Sequence, residues 1–234
     1  MADPAETPQG LRQQKPRFVD RTRAGLALAD RLVVHRAEPR TLVLGLSNGG
    51  MVTAAAIARR LDLPLDIVLV RRLRATDAPR RFLGAIAEDG DPHLDPEAFW
   101  LRGVPSAAIA HEVARQETTL ANRRRLLREG RALEIPAGGT VILVDDGVTD
   151  GLAVMAAIRT VRGLGIRRLV LAVPMAPAAA ADRLGDMVDE LVVLETPLTC
   201  GAVGGFYENF RPVRDAEVRE LLANVPSPSE GPVA

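Results

Sequence analysis

A mostly parallel α/β fold, a central sheet flanked by helices, is predicted by three features of this sequence. Short apolar runs rich in Val, Ile and Leu recur at residues 41–46, 65–70, 140–144, 168–173 and 190–194, each bounded by turn residues. Between them lie segments with apolar residues three and four apart, the spacing of helices packed on a sheet. At 234 residues and 47% hydrophobic composition the chain is long enough to bury such a core in one domain, residues 17–225. Strands that alternate with helices imply right-handed crossovers, and so parallel pairing.

Residues 1–16 are rich in Pro, Gln and charge without periodicity and are expected to be a disordered leader. Asp20 suits the N-cap of a helix over about 21–34, with Ala24, Leu28 and Leu32 on its buried face and Arg21, Arg23 and Arg31 largely off it. The strand over 41–46 bends through Ser47, Asn48, Gly49 and Gly50 into a helix over 51–61. A glycine pair at such a turn suits the presentation of N–H groups to a phosphate, and equally suits a tight turn. The strand over 65–70 ends in Arg71, Arg72, Leu73 and Arg74, basic groups that fit either an anion site or a solvated rim. A loop follows over 75–82, then a strand over 84–88 and a turn at Gly90, Asp91 and Pro92.

Residues 106–130 predict a long polar helix with a sparse apolar stripe of Ile109, Val113, Leu120 and Leu127, and with Arg123, Arg124 and Arg125 on a solvated face. So thin a stripe places the helix on the surface of the domain or against another subunit. After the strand at 168–173 come a short helix over 178–184 and a strand over 190–194. Residues 199–210 gather Phe206, Tyr207 and Phe210 among glycines, an arrangement that fits a base-stacking surface or a small core cluster. A helix over 215–222 closes the domain, and 226–234 is expected to be a disordered tail.

The chemistry concentrates after the strand at 140–144. Asp145 and Asp146 leave its carboxyl end, where ligands of open α/β sheets bind, and their acceptor-only carboxylates suit ribose hydroxyls and a hydrated divalent cation. Gly147 and Gly151 let backbone N–H groups turn toward an anion at the start of the next helix, which Asp150 is expected to N-cap.

Composition excludes other classes. Thirty basic and thirty acidic side chains cancel, leaving no global field to hold nucleic acid or an anionic membrane. Cys200 is the only cysteine, which excludes an internal disulfide and a cysteine-built zinc site and fits a reducing cytosol. His35, His93 and His111 lack ligand-spaced partners, so no metal site is assigned to histidine. The N-terminus lacks a basic-then-apolar signal pattern, and the longest apolar run, 169–181, is broken by Pro174 and Pro177. A soluble cytoplasmic protein is expected.

The stretch from Val144 to Gly151 resembles the phosphoribosyl-pyrophosphate (PRPP) loop of type I phosphoribosyltransferases: two acids, a short spacer, then Thr-Gly. The segments Phe18-Val19-Asp20-Arg21, Leu44-Gly45-Leu46 with Gly49-Gly50, Asp66 to Arg72, Gly84 to Glu88 and Ala202-Val203-Gly204 with Phe206-Tyr207 follow in the order of one branch. That branch is the bacterial family of predicted phosphoribosyltransferases of unassigned substrate, and the likeness runs over residues 17–222. The resemblance implies a type I fold with a small hood and a long surface helix, and transfer of a phosphoribosyl group between PRPP and a nitrogenous base, as in nucleotide salvage. It implies Asp145 and Asp146 as the catalytic acids, holding ribose and, through water, Mg²⁺. Gly147, Val148, Thr149, Asp150 and Gly151 would bind the 5′-phosphate, and Asn48, Gly49, Gly50, Arg71 and Arg72 the pyrophosphate. Phe206 and Tyr207 would form the base hood, and the loop over 75–82 would close over the reaction. The partners implied are PRPP or a nucleoside monophosphate, a small planar base, and a second copy in a homodimer. On this reading Asp146→Asn weakens metal-dependent PRPP binding.

The sequence departs from the family pattern at several ligand positions. Ser47-Asn48 stand where the family carries Pro-Arg, Arg74 where it has Gly, and Arg80-Arg81 replace a Pro-Glu-containing stretch. Asp150 stands in place of Thr, and Ala153 in place of a second hydroxyl residue. A capping carboxylate at Asp150 takes the N–H groups that a phosphate needs, so weak PRPP binding is expected. A homologue that binds ligand or regulates without turnover is the alternative.

Overall fold

The computed structural model describes residues 17–75, 82–95 and 104–225; the leader, the tail and most of the loop expected over 75–82 lie outside the described residues. Its central sheet contains β1 (Thr41–Leu46), β2 (Leu65–Val68), β6 (Thr140–Val144), β7 (Arg168–Met175) and β8 (Glu190–Glu195), all parallel, in the order β2-β1-β6-β7-β8. Every residue of β1 and β6 is buried, as continuous apolar runs demand when helices cover both faces. One face carries α1 (Arg21–Arg31) and α2 (Ser47–Leu61), whose Leu28, Met51 and Ile57 meet Val43, Ile142 and Val144. The other carries α4 (Leu152–Gly163) and α5 (Ala178–Gly185), whose Val154, Ile158 and Leu184 meet Leu44, Leu143 and Leu171. The predicted mostly parallel sheet flanked by helices is thus the observed one.

Two boundaries differ from expectation in ways that shape the site. The strand expected over 65–70 stops at Val68, opposite Leu46, because β1 turns into α2 there and offers no further backbone partner. The N–H of Leu69 is taken instead by the Glu88 carboxylate at 3.1 Å. The chain then enters a separate antiparallel sheet of β3 (Val70–Arg74), β4 (Phe82–Ala87) and β5 (Pro92–Leu94). The arginines expected at a strand terminus are therefore strand residues. The second difference is that α2 starts at Ser47, so Asn48, Gly49 and Gly50 form its first turn, with the Gly50 N–H donating to Ser47 Oγ at 3.2 Å.

The long helix is α3 (Ser106–Arg128), packed on β3 and β4 through Ile109, Leu120 and Leu127. Its buried face also includes Glu112, Gln116 and Arg128, polar positions at the same three- and four-residue spacing. A last helix, α6 (Asp215–Ala223), packs Val218 into the core beside α2. Among the described residues no helix is long and apolar enough to cross a membrane.

Asp66 on β2 gives the fold a pH dependence. Burial pushes its carboxyl up from 3.8 to about 6, against the Ile67 N–H that it accepts. With the folded value raised, the proton-linked stability is complete below the unfolded value and is lost as pH rises through about 6. Asp66→Asn removes this group, so the drop in unfolding free energy between pH 4 and pH 8 is expected to shrink by about 1–3 kcal/mol. Urea unfolding at the two pH values checks it, and an unchanged drop in the variant refutes it.

Candidate active site

The sheet order reverses between β1 and β6: the chain leaves β1 toward β2, and leaves β6 toward β7. The loops after these two strands diverge and open a crevice at their carboxyl ends. Register does the rest, since Gly45 lies opposite Val144 and so brings the residues that follow, Ser47 and Asp145, side by side. A cleft of about 770 Å³ lies there. Its walls are Ser47 and Asn48 of α2, Arg71, Arg72 and Arg74 of β3, Asp145 with Gly147 to Gly151, Arg123 of α3, Gly201 to Val203, and Asp215.

The two acids have different surroundings. The Asp145 carboxylate lines the cleft and accepts from Ser47 Oγ and from the Asp146 N–H, both at 2.9 Å. Burial, and then the neighbouring Asp146 charge, raise its carboxyl well above the ordinary range, so a cation in the cleft would favour its ionised form. The Asp146 carboxylate points away, under the first turn of α2, where its Oδ2 accepts from Arg21 Nε at 2.6 Å. Gly49 is required there, because a Cβ would collide with Asp146 Oδ2. Arg21 was expected to lie off the buried face of α1. It is 8% exposed, because its guanidinium balances a buried carboxylate, donates to the Arg211 carbonyl at 2.8 Å and stacks 3.7 Å from the Phe210 ring centroid.

The loop after Asp146 leads into the N-terminus of α4. Gly151 with φ 79 is the helix N-cap in place of Asp150, yet the Asp150 side chain accepts the Leu152 N–H at 3.1 Å. The same carboxylate is ion-paired with Arg72, and Arg183 donates to its backbone carbonyl at 3.0 Å. The Val148 N–H is taken by the Met175 carbonyl at 2.9 Å.

Arg71 and Arg72 were expected to act together, but the pleat sends them apart. Arg72 turns toward Asp150 and lies over the Phe82 ring, 3.6 Å from its centroid. Arg71 turns to α3, where its Nε donates to Gln116 Oε1 at 3.1 Å. Gln116 in turn donates to Glu112 Oε1 at 2.9 Å, fixing which end of its amide faces the arginine. Both arginines still reach the cleft because β3 is the edge strand of its sheet. Burial first, then the charges of Arg123 and Arg74, pull Arg71 below the usual arginine value, and burial and Arg74 do the same to Arg72. Crowded, partly desolvated guanidinium groups favour an anion between them.

Two further placements, those of the aromatic pair and of Arg123, correct the sequence reading. Phe206 and Tyr207 do not line the cleft; they are 2% and 5% exposed in a cluster with Phe18, Phe210 and Met175. The cause is that residues 17–19 bond along residues 206–209, which draws the aromatic rings together beneath the acid loop. Tyr207 Oη donates to the Asp146 carbonyl at 2.6 Å, so these rings support the acids from behind. Arg123, expected on a solvated face, enters the cleft and pairs with Asp215 at 3.0 Å. His35 lies at the opposite edge of the sheet, buried between Glu38 at 2.6 Å and Glu190 at 3.5 Å. Among the described residues no group of three or more His, Cys, Asp or Glu side chains is placed to hold a metal ion.

Comparison with known proteins agrees with this fold. The family model for a phosphoribosyl transferase domain matches residues 21–197. Two Mycobacterium tuberculosis proteins provisionally named phosphoribosyl transferase, from strains CDC 1551 and H37Rv, are each 37% identical over 206 residues, 88% of this chain. The match covers 46% of each of them, so the chain spans about half the length of these relatives. The crystal structure of TT1426 from Thermus thermophilus superposes with a TM-score of 0.70 at 39% identity, covering 88% of this chain and 97% of that one.

Proposed function

The chain belongs to the type I phosphoribosyltransferase family, and from that premise we propose that its cleft binds PRPP with Mg²⁺ and transfers the phosphoribosyl group to a small planar nitrogenous base. The observation that carries the reading is the convergence of Asp145, the loop from Gly147 to Gly151 and the cationic edge of β3 on one crevice between β1 and β6. In the transfer the bond from the sugar's anomeric carbon to pyrophosphate breaks, a bond from the base nitrogen forms, and the base gives up a proton. Positive charge develops on the sugar and negative charge on the leaving group, so fixed groups of opposite sign lower the barrier.

Asp145, which lines the cleft, accepts from the ribose hydroxyls in its ionised form, the form that a cation bound in the cleft favours. Arg71 and Arg72 hold the pyrophosphate charge beside Asn48, while Gly49 and Gly50 let the acids pack under α2. When bound, Mg²⁺ neutralises developing pyrophosphate charge, and it suits a site with one available carboxylate because it takes most of its ligands from phosphates and water. The buried Asp146–Arg21 pair keeps the second acid out of the cleft and the loop in place. The effect expected from sequence for Asp146→Asn therefore moves to its neighbour. Asp145→Asn is expected to weaken Mg²⁺-dependent PRPP binding by about 1–3 kcal/mol. Affinity unchanged with and without metal removes Asp145 from the site.

A second reading, a homologue that binds ligand without turnover, is favoured by one observation: the Asp150 carboxylate already occupies the Leu152 N–H and Arg72. Calorimetry with PRPP and Mg²⁺, followed by a pyrophosphate-release assay over a panel of purine and pyrimidine bases, separates the two. Release supports transfer, binding without release supports the second reading, and no PRPP binding by either the native chain or Asp150→Thr rejects the transfer reading.

A further inference from the structure

We propose that Arg123 is a ligand-binding residue of the cleft, receiving an anionic group of the phosphate or pyrophosphate class at the corner where α2, α3 and α6 meet. The inference rests on the phosphoribosyl reading of the cleft and adds to it a residue from an element remote in sequence. Position 48, in the first turn of α2, lines this corner and is a neutral asparagine. Arg123 reaches the same place from α3, its Nη2 donating to Asn48 Oδ1 and, at 3.0 Å, to Asp215 Oδ1. A positive charge thus reaches the first turn of α2 from a helix remote in sequence.

Two features distinguish this from a staple between α3 and α6. The Arg123 side chain is 15% exposed, yet its Nε is buried without a hydrogen-bond partner, so the guanidinium fork is incompletely used. Asp215 Oδ1 is meanwhile shared, accepting also from Asn48 Nδ2 at 2.9 Å. Charge is unbalanced as well. Of the two guanidinium groups at this wall, Arg123 pairs with the shared Asp215 carboxylate, whereas Arg71 donates through Nε to the neutral amide of Gln116. Burial first, and then the Arg123 charge, lower Arg71 from its usual value. An anion between them would accept from two guanidinium groups on elements anchored in the core. Asp215 is 36% exposed and stands in for that anion, holding Arg123 in the orientation the ligand meets.

The test is calorimetric titration with inorganic pyrophosphate and Mg²⁺ at fixed ionic strength, a probe that does not need the loop carrying Asp150. Arg123→Met is expected to weaken pyrophosphate binding at least tenfold, with Arg123→Lys in between because an ammonium keeps the charge and loses the fork. Asp215→Asn is expected to tighten it by about two- to fivefold, since the competing carboxylate is gone while the hydrogen bonds remain. Losing a cleft carboxylate by itself favours an anion, so the deciding comparison is Asp215→Asn made in Arg123→Met, which also leaves no unpaired carboxylate: the gain is expected to shrink there, and an equal gain overturns the proposal. Native-like pyrophosphate affinity in Arg123→Met, or weaker binding in Asp215→Asn, overturns the proposal. If native protein binds no pyrophosphate while Asp150→Thr binds AMP, the phosphoribosyl reading stands and the role of Arg123 falls. If neither ligand binds, both fall.

Discussion

Arg21→Met is expected to destabilise the folded protein by about 3–5 kcal/mol, the range for removing one partner of a buried ion pair. For a domain of this size that corresponds to a melting temperature lowered by roughly 10 °C. The Arg21 and Asp146 side chains are 9% and 12% exposed, and the Nε–Oδ2 distance is 2.6 Å. Methionine preserves much of the stem's packing but leaves the Asp146 carboxylate without its counter-charge beneath α2. The contacts with the Arg211 carbonyl and the Phe210 ring are lost with it. If the unpaired charge is the cause, adding Asp146→Asn to Arg21→Met should restore at least half of the loss. Thermal unfolding of the two single variants and the double variant checks this. A double variant as unstable as the sum of the singles would mean that the pair contributes through packing alone.

Asp150→Thr is expected to tighten binding of PRPP or a nucleoside 5′-monophosphate at least tenfold, about 1.4 kcal/mol. In the native chain the Asp150 carboxylate holds the Leu152 N–H at the start of α4 and is paired with Arg72. An incoming phosphate must displace both contacts or sit beside the carboxylate. At about 5 Å and an effective dielectric near 20, each unit of like charge costs roughly 3 kcal/mol. Arg72 offsets part of this repulsion only while it stays with Asp150, so it cannot serve the ligand fully at the same time. Threonine keeps an oxygen for the helix N-terminus, supplies a donor and frees the arginine. Calorimetry on both proteins checks the expectation. Micromolar affinity in the native chain, or binding lost in the variant, would show that the loop takes its ligand by another route.

The parallel sheet was legible because its central strands are buried on both faces, so their continuous Val, Ile and Leu runs are a local signal. The meeting of Asp145, Asn48 and the arginines at one crevice was legible because each lies just past a core strand, whereas Asp146, Gly49 and Gly50, expected beside them, lie outside its lining. Boundaries that depend on a neighbour were less so. Val68 ends β2 only because β1 has turned away, and nothing within residues 65–70 records that event. The third tier, the residues that set the charges of the site, was legible least. Arg123 carried a faint signal, falling at three- and four-residue spacing with Ile109, Gln116, Leu120 and Leu127, but arginine on a polar helix resembles any solvated arginine. Arg21 carried none that separates it from Arg23, because its burial depends on Asp146, which lies 125 residues away.

By itself, then, the sequence determined the layers of this protein and the strand ends that face its cleft, because burial on two faces and turns through glycine leave their mark within a few residues. Tertiary structure alone decided which acid faces the cleft and which is neutralised behind it. It also decided that the aromatic residues of 206–210 support the acid loop from outside the cleft, and that a guanidinium from α3 stands beside Asn48. The physical reason is one of range: hydrophobic periodicity is written along the chain, whereas the partner of a buried charge is chosen in space, by whichever element the packing brings within hydrogen-bond reach.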